Sequence, residues 1–262
     1  MTEYVCIAVP QFLGEYKPER TETRALRRSG IAVEIGAEWV DVIPDFTVRG
    51  NAVIDVNRAL ADAIRAHPGK TPLIFAADCV SALGALKGLQ AQRPAVIWYD
   101  AHGDFNTPET TPSGFLGGMP LAMLVGRGDM QYMRGIDLAP LPEDTIIISD
   151  ARDLDPEEAV ALRESRLMHL PHVDDLLTAP LPDRPLYIHM DVDVIDPAEM
   201  PGLGYPAPGG PSLDQVIATL RRVVAERPVA GVLFSLWNDS MVNDDRALEA
   251  VLRMVRTVAG NE

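Results

Sequence analysis

Residues 95–104 read Ala95-Val96-Ile97-Trp98-Tyr99-Asp100-Ala101-His102-Gly103-Asp104. The first five are apolar or aromatic, with no polar alternation. Such a run suits a strand covered on both faces. It then breaks into Asp-x-His-x-Asp. An apolar strand has no structural need to finish in three metal-binding side chains. A second stretch repeats the pattern. Pro185–Asp191 is strand-like, and Asp191-Val-Asp193-Val-Ile-Asp196-Pro follows directly.

On either side of these two stretches, apolar runs alternate with longer amphipathic ones. Strands are expected at Tyr4–Val9, Trp39–Ile43, Pro72–Ala77, Ala95–Asp100, Thr145–Ser149, Arg166–Leu170, Pro185–Asp191 and Val229–Leu236. Helices are expected at Asn51–Ala66, Val80–Leu89, Pro156–Glu164, Leu213–Ala225 and Asp244–Val258. Pro211-Ser212 before Leu213, with Gln215 following, has the pattern of a helix start. This alternation predicts an α/β fold: three layers, with an eight-stranded, mostly parallel sheet between helices. No repeat or low-complexity linker divides the chain, so residues 1–262 are read as one domain. His102–Met119 and Pro197–Pro211 escape the alternation. Both follow strands, and functional loops leave the carboxyl ends of parallel strands.

The formal net charge of -15 argues against nucleic acid and anionic membranes as partners, which require a basic face. Two cysteines, Cys6 and Cys79, do not make a disulfide framework. The N-terminus lacks a basic start and long apolar run, and no stretch is long enough to span a bilayer. A cytoplasmic enzyme acting on a small molecule is the expectation.

Period-2 geometry would put Asp100, His102 and Asp104 on one side if the strand continues, and Asp191 with Asp193 likewise. Converging carboxylates repel, and a cation is the simplest way to hold them. Carboxylate and imidazole donors favour manganese, with zinc, iron and cobalt left open. The competing reading makes these residues helix caps and solvated loop carboxylates. Two such motifs at two strand ends weigh against it.

Asp-Ala-His-x-Asp followed by Asp-x-Asp-x-x-Asp-Pro resembles the arginase and agmatinase superfamily, the ureohydrolases. The resemblance continues in Ala76-Ala77-Asp78-Cys79-Val80, where the family has Gly-Gly-Asp-His-Ser. It continues in Asn106-Thr-Pro-Glu-Thr-Thr111-Pro-Ser113-Gly, and in Arg152-Asp153-Leu-Asp155-Pro. It implies two Mn2+ ions sharing a bridging hydroxide. Asp100 and Asp191 would bridge them. Cys79 and Asp104 would complete one metal's shell, His102 and Asp193 the other's. Asn106, Thr111 and Ser113 would bind a substrate α-carboxylate, and Asp155 the α-amino group. The arginase-like chain ends soon after its last helix, which leans towards a monomer.

Four departures bear on the substrate. Cys79 stands where the family has a metal-binding histidine. The alternative is a buried thiol like Cys6, although a thiolate also ligates metals. Gly117 stands where arginases carry a histidine proposed to shuttle a proton. Leu236 replaces a glutamate that pairs with the guanidinium, with Asp239 nearby. Tyr205 replaces a small hydroxyl residue. A guanidinium stays charged, its pKa above about 12, and losing a buried partner is costly. An N-hydroxyguanidine is less basic and can be neutral near pH 7. The expected substrate is therefore Nω-hydroxy-L-arginine, cleaved to L-ornithine and hydroxyurea. The pattern resembles the hydroxyarginine-hydrolysing branch that serves biosynthesis of the antibiotic D-cycloserine. The alternatives are an ordinary arginase or other ureohydrolase, and a catalytically silent binding protein of the same fold. In the mechanism Asp104 would accept the water's proton. A water or His189 would protonate the leaving amine, His189 being otherwise a hydrogen-bonded core residue.

Overall fold

The computed structural model describes residues 2–17, 23–46, 50–235 and 245–261. Eight strands form one sheet: β1 (Glu3–Val9), β2 (Glu38–Asp41), β3 (Lys70–Ala76), β4 (Ala95–His102), β5 (Ile146–Asp153), β6 (Met168–Leu170), β7 (Leu186–Asp191) and β8 (Val229–Ser235). Their order is β2-β1-β3-β8-β7-β4-β5-β6, and every neighbouring pair is parallel.

β4 shows why the sheet is central. Ala95, Ile97 and Tyr99 face one helical layer and Val96 and Trp98 the other, all buried. Period-2 alternation is thus hidden in an all-apolar sequence, because both faces are covered. One layer is built by α1 (Ala52–Arg65) and α2 (Ala82–Leu89), with the short helices Pro120–Leu124 and Gln131–Gly135. α3 (Pro156–Glu164) adds Leu162 to that side. The other layer holds α4 (Leu213–Glu226) and α5 (Asp245–Ala259), with Thr23–Ser29 beside them. On α5, Ala247, Ala250, Val251, Met254, Val255 and Val258 are buried, the three-and-four spacing of a helix lying on a sheet. No described helix is long and apolar enough to cross a membrane.

Helix ends follow the sequence closely. Asn51 caps α1 by accepting from Val53 N. Ser212 and Gln215 form the reciprocal box that starts α4. Several boundaries differ from expectation, among them the strand expected at Thr145–Ser149, which runs on to Asp153. The predicted Val80–Leu89 helix opens instead with a 3-10 turn, Cys79–Ser81, because Asp78 Oδ1 accepts from Ser81 N and fixes the chain there. The predicted Arg166–Leu170 strand is shortened to β6. A hairpin, Gln11–Phe12 with Glu15–Tyr16, was not anticipated. Asp78 Oδ2 holds it by accepting from Leu13 N at 2.7 Å.

Candidate metal centre and substrate pocket

β3, β8, β7 and β4 are consecutive in the sheet. Their carboxyl ends bring Cys79, Ser235, Asp191 and Asp100 side by side. The expectation of simple strand alternation fails beyond them. β4 stops at His102, and Asp104 takes a left-handed conformation, φ 48°. The chain turns there, and the turn carries Asp104 back to the cluster. Gly103 permits the turn's other contact. A Cβ there would lie 2.6 Å from Glu158 Oε1, and Glu158 needs that space. Its Oε1 accepts from Phe105 N at 2.8 Å, and its Oε2 from Asp155 N at 3.1 Å. Asp193 likewise lies in a 3-10 turn, Val192–Val194, where its backbone N donates to Asp191 Oδ1 at 2.9 Å. Arg152 braces that turn from behind. It donates to Asp193 O and Val194 O, at 3.1 and 3.0 Å, and pairs with Asp150.

The side chains form two groups whose donor atoms lie within 4.8 Å of one another. One comprises Cys79, Asp100, Asp104 and His189, the other Asp100, His102 and Asp193. Asp100 belongs to both. Asp191 joins the first group through Cys79 Sγ, 3.1 Å from its Oδ2. His102 Nδ1 lies 3.1 Å from Asp193 Oδ2 and 3.4 Å from Asp100 Oδ1. Trp98 Nε1 donates to Asp100 Oδ2 at 3.0 Å, and Ser235 Oγ to Asp191 Oδ2 at 3.1 Å.

Electrostatics describe a cluster that wants positive charge. Burial, then neighbouring carboxylates, push Asp100, Asp104 and Asp191 above the usual carboxylate range. Burial, followed by Asp104, Asp191 and Asp100, pushes the Cys79 thiol well up. Burial works against the His102 imidazolium. Hydrogen bonds and charge from Asp100 and Asp193 overcome it and raise His102 to about 12. Asp104 Oδ2 is buried without a hydrogen-bond partner among the described residues. An unpartnered carboxylate oxygen among carboxylates is costly, and a bound cation relieves both defects. The donor set therefore fits a metal centre.

A cavity of about 190 Å³ opens onto the cluster. Cys79, His102, Asp104 and Asp191 are among the residues that line it. Asn106, Thr111, Ser113 and Asp155 line it too. Asn106 Nδ2 donates to Asp155 Oδ2 at 2.9 Å, and the Thr111 and Ser113 hydroxyls lie 3.4 Å apart. Phe12, Phe115 and Tyr205 also line the cavity, their rings 5.5 to 6.4 Å apart. At Gly117 an added Cβ would sit 2.3 Å from Phe115 Cε1. The Phe115 ring fills the space a side chain at 117 would take.

His189 does not line this cavity. It is fully buried, stacked on Trp98 with ring centroids 3.5 Å apart. Burial lowers its pKa to about 3. His189, expected alongside water as a source of the amine's proton, thus sits beneath the cluster and not among the residues that line the pocket. Leu236 and Asp239 lie outside the described residues. Sequence reasoning missed Glu158, Phe115, Phe12 and Ser235. Only Glu158 carried a signal, the capping-box spacing Asp155-x-x-Glu158.

Among known proteins, the arginase family profile matches residues 22–235. An arginase of Bacillus caldovelox is 37% identical over 177 residues, covering 61% of this chain and 59% of that protein. The match therefore spans less than two thirds of that relative's length. A Streptomyces lavendulae protein named N(omega)-hydroxy-L-arginine amidinohydrolase is 32% identical over 186 residues, 69% of this chain and 65% of that one. The crystal structure of a Bacillus cereus arginase superposes with a TM-score of 0.87 at 25% identity, covering 100% of this chain and 99% of that one. The three-layer fold expected from the sequence is thus matched over its whole length.

Proposed function

This chain belongs to the arginase family, and on that premise we propose that it hydrolyses the guanidine group of an arginine-like amino acid. The substrate we propose is Nω-hydroxy-L-arginine, and the products are L-ornithine and hydroxyurea. One observation carries the reading. The cavity that opens onto Cys79, His102, Asp104 and Asp191 is also lined by Asn106, Thr111, Ser113 and Asp155. A metal-type cluster and an amino-acid-type subsite share one small space.

Cys79, Asp100, His102, Asp104, Asp191 and Asp193 would hold two divalent cations, manganese by the predominance of oxygen donors. When bound, such ions supply hydroxide at neutral pH and Lewis acidity towards the guanidine. The chain's own residues do the rest. Thr111 and Ser113 offer hydroxyls to the α-carboxylate, and Asn106 orients Asp155 towards the α-amino group. Water adds to the guanidine carbon, the bond to Nδ breaks, and the amine leaves as ornithine. Asp104, whose Oδ2 has no other partner among the described residues, takes the proton released by water and returns it to the amine.

The guanidine end supports the hydroxylated substrate. The cavity's wall near Gly117 is the apolar Phe115 ring. A neutral hydroxyguanidine could lie against that ring, at the position where the sequence has Gly117 in place of a histidine. The Streptomyces lavendulae relative bears the matching name. Steady-state turnover of L-arginine, agmatine and hydroxyarginine, measured side by side after manganese loading, tests the reading. Hydroxyarginine should have the highest kcat/KM, and agmatine the lowest. Faster hydrolysis of plain arginine would instead establish an ordinary arginase. Metal-loaded protein inert towards all three would favour a silent binding protein.

A further inference from the structure

Ser235 ends β8, between the strands that carry the cluster. Its side chain is fully buried. Its oxygen lies 3.1 Å from Asp191 Oδ2, 3.5 Å from Cys79 Sγ and 3.3 Å from His189 Nε2. A hydroxyl has one proton to give, so the neighbours decide who receives it. His189 Nδ1 is buried with no hydrogen-bond partner among the described residues. An orphaned buried N–H is rarer than an under-used acceptor. The imidazole proton therefore belongs on Nε2, where Ser235 Oγ accepts it. The Ser235 proton then goes to Asp191.

The Cys79 thiol donates to the same carboxylate oxygen across 3.1 Å. A cysteine that binds a cation gives up that proton. Thiolate and carboxylate would then stand side by side. Among the described residues, the Ser235 hydroxyl is the side-chain donor left against that pair.

We propose that Ser235 is a positioning residue of the metal centre: oriented by His189, it donates to Asp191 and keeps that carboxylate in register with the Cys79 sulfur. This rests on the reading of Cys79 and Asp191 as metal ligands. Ser235 touches the Cys79 sulfur directly and reaches the His102 and Asp193 side only through Asp191, so its influence falls first on the sulfur-bearing half of the centre.

Cobalt(II) titration of metal-free protein tests this, read by calorimetry and by the thiolate-to-cobalt charge-transfer absorption. Wild type, Ser235→Ala and Ser235→Thr are compared. Losing a contact behind a ligand costs roughly ten- to a hundred-fold in metal affinity. Ser235→Ala should weaken the sulfur-bearing site by that factor, and the other site less. Ser235→Thr should recover most of the loss. A Ser235→Ala protein that titrates like wild type, with the band present in both, overturns the role of Ser235 alone. Absence of the band from wild type overturns the Cys79 reading and this inference with it. Heteronuclear NMR of isotope-labelled histidine in the wild type needs no variant. An Nε2–H tautomer for His189 supports the arrangement, and an Nδ1–H tautomer overturns it.

Discussion

At Gly117, residue type and a neighbour's position are inseparable. The Phe115 ring occupies the volume of any side chain at that position. The clash involves the far edge of the ring, so the ring can swing aside. Gly117→Ala should therefore cost little stability, within the roughly 1–3 kcal/mol of ordinary overpacking. Its effect belongs in the pocket, since Phe115 lies against Phe12 and Tyr205. KM should rise several-fold with kcat less affected, and adding Phe115→Ala should bring KM part of the way back. Steady-state kinetics on the two variants check this, and an unmoved KM would show that the ring is not a pocket wall. The glycine was legible in the sequence as a missing histidine. What a side chain there would displace was not, because Phe115 has no motif that announces where its ring lies. Ser235 was illegible for the same reason: one serine in the apolar run Val229–Ser235 looks like any strand residue.

Strand ends, not strands, build the site. Asp100 and Asp191 were legible because each terminates an apolar run, and a buried carboxylate there needs a cause. The fold brings Asp104 and Asp193 beside them by a route other than the strand alternation expected. Alternation does not carry them; a left-handed residue and a 3-10 turn do. The hairpin around Leu13 was invisible because a bond to Asp78, 65 positions away, holds it. Glu158 shows how one side chain links two elements. From the first turn of α3 it accepts backbone N–H groups of Phe105 and Asp155, tying the loop after β4 to the helix after β5. Glu158→Ala strands two donors and should cost about 1–3 kcal/mol, a fall in Tm of roughly 2–12 °C. It should also raise KM, since Asp104 and Asp155 both depend on that tie. Thermal unfolding and kinetics on one preparation give the answer, and an unchanged Tm with an unchanged KM would refute the linkage.

Across the whole molecule, a chain of net charge -15 concentrates carboxylates at one buried point. Asp100, Asp104 and Asp191 are held above their usual range by burial and mutual repulsion. The sign follows from linkage. A raised carboxyl adds stability below its unfolded value, about 4, and loses it as pH climbs through its folded value. Metal-free protein should therefore be penalised at neutral pH, where these groups must ionise. Cations remove the penalty and bind better as protons leave. The Tm difference between manganese-loaded and chelated protein should thus widen from about pH 5 to about pH 8. Scanning calorimetry at both ends of that range measures it, and a constant or shrinking gap would contradict the electrostatic account. The sheet order itself was not legible. Strand count and parallel sense follow from alternation, but β3 beside β8 depends on how helices distribute over two faces.

Everything rests on the paired motifs acting as a two-metal centre. Chelated protein titrated with manganese, its bound metal counted by elemental analysis, measures that directly. Two equivalents per chain, lost together when Asp100→Ala removes the carboxylate shared by both groups, is the result this account predicts. No bound metal, or one equivalent that survives Asp100→Ala, would contradict it.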